Sequence, residues 1–195
     1  MARPINMVFS AGVTPEQALK RVQDAAFTLF RYQLAPFRHA KQDTFGNTTV
    51  DRWEQEGRRD TAIDLTSDRA MGVSFVSVIA GDDAHAHDVA TKLNDMLMLR
   101  PAQEFIDIAL RQPDDPAALV RAALAAEQEH AGLKDAIAQR LGAADVPVRA
   151  AAAKAAALVT WPSLLPALQK ALAGETDPTL HRFLEIAVKK CGGST

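Results

Sequence analysis

Cysteine is nearly missing from this chain: Cys191 stands alone among 195 residues. No disulfide can close within the chain, so a reducing, cytoplasmic setting is expected. Long apolar runs are missing too. Nothing approaches the roughly 18 consecutive apolar residues of a spanning helix, and no membrane partner is expected. The opening run, Met1-Ala2-Arg3-Pro4-Ile5-Asn6, lacks the continuous apolar core of a secretory leader. Charge of one sign is not in excess either. The formal net charge is −2; residues 1–99 carry 11 Lys and Arg against 13 Asp and Glu, and residues 100–195 carry 11 against 11. Neither half has the basic bulk of a non-specific nucleic-acid binder, so nucleic acid is not the expected partner. Gly-x-Gly-x-x-Gly, the Walker loop, Gly-x-Ser-x-Gly and paired-cysteine zinc spacings are all absent. No catalytic residue, cofactor or metal is expected on that ground.

What is present suits a globular chain: 48% of residues are hydrophobic and 24% charged, which argues against disorder. The second half carries a period of 31 residues. Ile106, Ile137 and Leu168 align, as do Leu110, Leu141 and Leu172, and Pro116, Pro147 and Pro178. Such a spacing marks similar helical units that bury their apolar faces against one another. Three units follow, 102–132, 133–163 and 164–194. Leu133, Ala136, Ile137 and Leu141 lie on one helix face, as do Leu164, Ala167, Leu168 and Leu172. Gly142 and Gly174 sit where such helices end. Asp115-Pro116 and Asp177-Pro178 read as N-cap and first helical residue of a second helix, and Asp145-Val146-Pro147 as a one-residue variant. The alanines at 150–153 and 155–157 favour helix and close approach between helices.

Asp115-Pro116 with Val120-Arg121, Asp145 with Val148-Arg149, and Asp177-Pro178 with Leu180-His181 resemble the Asp-Pro-x-Val-Arg entry to the second helix of HEAT repeats. The short unit and Ala-rich second helix are most similar to the bacterial HEAT-like repeats also found in phycobilin lyases. The resemblance covers residues 102–191 and implies a HEAT-like helical solenoid. Arg121 and Arg149 then have two readings. Either each packs its stem between helices and pairs with Asp115 or Asp145, or it contacts a partner on the concave face. The balanced charge of this half favours the first.

In residues 1–99, Ile5 to Phe9 is β-prone. Thr14-Pro15-Glu16-Gln17 supplies an N-cap, a first-position proline and a capping-box glutamine for a helix reaching about Tyr32. Leu34 to Asp60 reads as polar and irregular, with a turn at Phe45-Gly46-Asn47. Thr61 to Leu65 and Met71 to Ala80 read as a hairpin turning at Thr66 to Arg69. Asp82 and Asp83 then cap a helix carrying Val89, Leu93, Met96 and Leu97. The expected fold is a small antiparallel α+β domain over 1–99 with helices on one face, followed by three HEAT-like units over 100–195, predominantly helical overall.

Asp82, Asp83, His85, His87 and Asp88 form the densest set of metal-ligand types, but helical neighbours two apart point in different directions, which favours capping. Glu127-Gln-Glu129-His130 holds a single Glu-x-x-His, and a two-metal bundle needs a second copy. Cys191 reads as a small apolar residue ending the last helix. Arg52, Glu54, Glu56, Arg58, Arg59 and Asp60 form a mixed charge run around Trp53. The expected function is a protein–protein interaction module — an adaptor, a regulator or a toxin-neutralising partner — using the repeat surface. Arg121, Arg149, Arg52, Trp53, Arg58 and Arg59 are its candidate contacts. The alternative is an enzyme or small-ligand protein with Phe37, His39, Trp53, His85 and His87 lining a site between the two halves.

Overall fold

A computed structural model describes residues 4–193, so the first three residues of the run read for a leader lie outside the described part. The chain divides into two compact units between Arg100 and Pro101.

The first unit is built on five strands: β1 (Ile5–Val8), β2 (Phe37–Phe45), β3 (Thr48–Gln55), β4 (Arg58–Asp68) and β5 (Val73–Ile79). They pair antiparallel in the order β1-β5-β4-β3-β2. Two helices, α1 (Pro15–Thr28) and α2 (Asp83–Leu97), accompany the sheet. Thr14 and Gln17 close a reciprocal capping box at the start of α1. Asp82 caps α2 by accepting the His85 amide at 2.7 Å. The period-2 alternation of strands puts Trp53, Ile63, Leu65, Val76 and Val78 on one sheet face. They share a single buried core with Val22, Ala26 and Leu29 from the first helical stretch and Val89, Leu93 and Leu97 from α2. Both helices therefore cover that one face. At its far end Ser67 and Ser74 satisfy each other at 3.0 Å.

Residues 34–60 are not irregular: they supply β2 and β3. The hydrophobic alternation that signals a strand is missing from β2 because it lies at the sheet edge, where Phe37 is its one buried residue. The two-residue connections Gly46-Asn47 and Glu56-Gly57 turn the chain, with Gly46 at φ +59° and Gly57 at φ +75°, backbone values that glycine adopts without a Cβ penalty. The β4–β5 hairpin turns at residues 69–72, beyond the expected 66–69.

The second unit holds α3 (Ala102–Arg111), α4 (Pro116–Ala125), α5 (Ala131–Arg140), α6 (Val146–Val159), α7 (Leu165–Gly174) and α8 (Pro178–Lys190). Asp115 accepts the amides of Ala117 and Ala118, and Asp177 those of Thr179 and Leu180. Asp145 precedes α6 without a side-chain capping bond, and Pro147 falls at the second helical position rather than the first. Helix α6 packs against both α4 and α8. Its buried Ala151, Ala152, Ala153, Ala155 and Ala156 project little beyond the helix backbone, which permits that approach.

The expected HEAT-like solenoid is overturned. The structure is 54% helix and 21% strand, with a five-stranded antiparallel sheet and eight α-helices among the described residues, and no helical-repeat solenoid is shown. Positions 31 residues apart do not hold equivalent places. Ile106, Ile137 and Leu168 are all buried, but Leu110 is 41% exposed where Leu141 is 4% exposed. The proline triplet slips by one position at α6. The period reflects helix-and-connection length and local capping chemistry, which recur without requiring units to stack in one repeated relation.

Candidate functional site

Helix α7 presents Ala167, Lys170, Ala171 and Gly174 at offsets of three, four and seven residues, hence on one face. The small Ala167, Ala171 and Gly174 leave space rather than filling it. With Ala138, Gln139 and Leu141 at the end of α5, and Gly142 and Ala143 beyond it, they line a groove of about 690 Å³. Arg149, Glu175 and Thr176 complete the lining. All of these residues belong to the second unit.

Arg149, in the first turn of α6, meets Glu175, which follows the last residue of α7. The guanidinium donates from Nε to Oε2 at 2.9 Å and from Nη2 to Oε1 at 3.3 Å. Its Nη1 donates to the carbonyls of Ala143 at 2.9 Å and Ala144 at 2.8 Å. Glu175 Oε1 also accepts the amides of Thr176 and Asp177, each at 3.0 Å. The Glu175 side chain is 4% exposed. The Arg149 fork, with help from the Asp177 and Thr176 amides, pulls its pKa down to about 2. Reciprocally, Glu175 raises that of Arg149. Four of the five N–H donors of Arg149 are thus committed inside the protein. It forms a rigid wall that joins the α5–α6 and α7–α8 connections. Lys170, by contrast, is exposed and has no ion pair among the described residues.

The other candidate contacts scatter. Arg121 is buried within α4, and burial holds its pKa below the ordinary guanidinium range against the pull of Asp115. Trp53 is a core residue. Neither offers surface to a partner. Arg52 on β3 grips Asp64 across the strand pair, Nε to Oδ1 at 2.7 Å and Nη2 to Oδ2 at 2.6 Å. Arg58 pairs with Asp82 at 3.3 Å, and Arg59 is exposed. Of the expected set, only Arg149 lines the groove.

Of the residues expected to line the alternative site, Phe37 faces Gln55 across the β2–β3 pair. His39 lies edge-on to Trp53 with ring centres 5.3 Å apart and reaches Asp51 at 3.3 Å. His85 bonds Gln55 at 2.7 Å, while His87 bonds the Asp83 carbonyl of its own helix at 2.7 Å. Among the described residues no group of three or more His, Cys, Asp or Glu is placed to hold a metal ion. His130 serves as the N-cap of α5, its Nδ1 accepting the Leu133 amide.

Two residues escaped sequence reading. Buried Arg140 donates to the carbonyls of Pro113 and Ala109, each at 2.8 Å, tying α5 to the end of α3 and the connection after it. Lys170 is the other. Its signal is visible only in hindsight, as one cation on a helix face otherwise made of alanine and glycine. No helix is long and apolar enough to cross a membrane among the described residues. The chain matches no protein-family model, no curated protein and no solved structure.

Proposed function

We propose that this chain is a cytoplasmic protein-interaction module whose second unit takes an acidic segment of another protein into the groove beside α7. The observation that carries this reading is the division of labour between two cations on the groove lining. Arg149 is neutralised by Glu175 and held by two carbonyls, whereas Lys170 stands exposed and has no ion pair among the described residues. A carboxylate entering the groove finds an uncompensated ammonium beside a wall that needs no rearrangement. The alanines and glycines supply apolar surface that a partner's side chains can approach closely, and the lining contains no aromatic side chain to enclose a flat cofactor.

Adaptor, regulator and toxin-neutralising protein are variants of this role that differ in the partner's identity. Capture from the native lysate with wild-type, K170R and K170E chains tests it. A partner retained by wild type and K170R and lost by K170E, with all three chains equally folded, supports the reading. A set of captured proteins unchanged by K170E rejects it.

A further inference from the structure

Strand β2 ends the sheet, and among the described residues its backbone bonds only to β3, so its outer row of N–H and C=O groups is unpaired. We propose that this edge pairs with β2 of a second copy of the chain, in one antiparallel register centred on Gln42. The charges select that register. Lys41 and Asp43 lie on the same sheet face, opposite Arg52 and Val50, and touch each other at 2.6 Å.

Antiparallel partners that face one another must share a sheet face, so only registers that keep Lys41 and Asp43 on the face they already occupy are admissible. Centring on Lys41 sets two ammonium groups against each other, and centring on Asp43 sets two carboxylates together. Centring on Gln42 places each Lys41 opposite the other copy's Asp43, an alternating square of four charges. Glutamine on the two-fold axis meets glutamine.

The bulge at Ala40, between the pairings of His39 and Lys41, interrupts the strand on one side of this centre. Bulges and charges at an edge ordinarily oppose edge-to-edge pairing with another chain. Here they restrict pairing to a short segment and one register, which fits a closed dimer rather than a fibre. The opposite edge strand, β1, spans four residues and offers less to pair with.

The test is sedimentation of the full chain and of single and double charge variants over a range of concentrations, with circular dichroism to verify folding. Wild type forms a dimer. K41D alone and D43K alone weaken it about tenfold or more, because each variant sets like charges at both facing positions. The double variant K41D/D43K restores it to within about threefold. The decisive arm mixes the two single variants. One chain then carries two acids and the other two bases, so the mixture forms a heterodimer that neither forms alone. A wild-type chain that stays monomeric, a dimer indifferent to these charges, or a mixture that fails to associate overturns the proposal.

Discussion

Arg149 and Glu175, 26 residues apart, close a two-point fork that links the connection before α6 to the connection before α8. It is the best-formed ion pair on the groove, and it explains why Arg149 acts as wall rather than as recognition group. Its energetics are open to a pH experiment because Glu175 titrates far below an ordinary glutamate.

The folded-state pKa of Glu175 is about 2, against an ordinary value of 4.5. A depressed carboxyl contributes stability that is full above the unfolded value and fades as pH falls through the folded one. Replacing Glu175 by Gln should therefore lower the thermal unfolding midpoint by a few degrees near pH 7. The gap between variant and wild type should close as pH drops from about 4.5 to about 2. Melting curves across that window check this. An equal gap at both ends would mean that the charge of Glu175 contributes nothing.

Leu110 and Leu141 share a place in the 31-residue period but differ in burial, 41% against 4% exposed. Leu141→Ala should cost about 2–5 kcal/mol, whereas Leu110→Ala should cost less than about 1 kcal/mol. Urea unfolding of the two variants measures both. Equal costs would restore the structural equivalence that the period suggests and the burial denies.

Cys191 is 1% exposed, its thiol directed at the Ala156 carbonyl at 3.7 Å, and burial pushes its pKa up. The only thiol in the chain should therefore react with an aromatic disulfide reagent at least about a hundredfold more slowly in the native protein than in denaturant. Rapid native labelling would show that the end of α8 is open in solution.

What could be read from the sequence was local. The Thr14 box, the Asp115 and Asp177 caps and the prolines beside them are chemistry within one helical turn, and the structure keeps each of them. Strand β2 was hidden because an edge strand needs no hydrophobic alternation; its single buried residue is Phe37. The period around Ile106, Ile137 and Leu168 marks core positions correctly, yet it says nothing of how helix pairs are set against one another. Arg121 and Arg149 looked alike in sequence and part company in space, one buried in α4 and the other forked to Glu175. Lys170 was invisible because an exposed lysine on a helix is ordinary until its neighbours are known to leave a groove.

The central claim, binding of an acidic protein segment beside α7, is tested most directly by a photo-crosslinking residue at Ala171, which lines the groove. The control carries the same residue at Arg182, an exposed position on α8 outside that lining. Illumination in native lysate should yield a discrete protein adduct from position 171, none from 182, and loss of the adduct when K170E is added to the position-171 chain. No adduct at 171, or equal adducts at both positions that ignore K170E, would contradict the account.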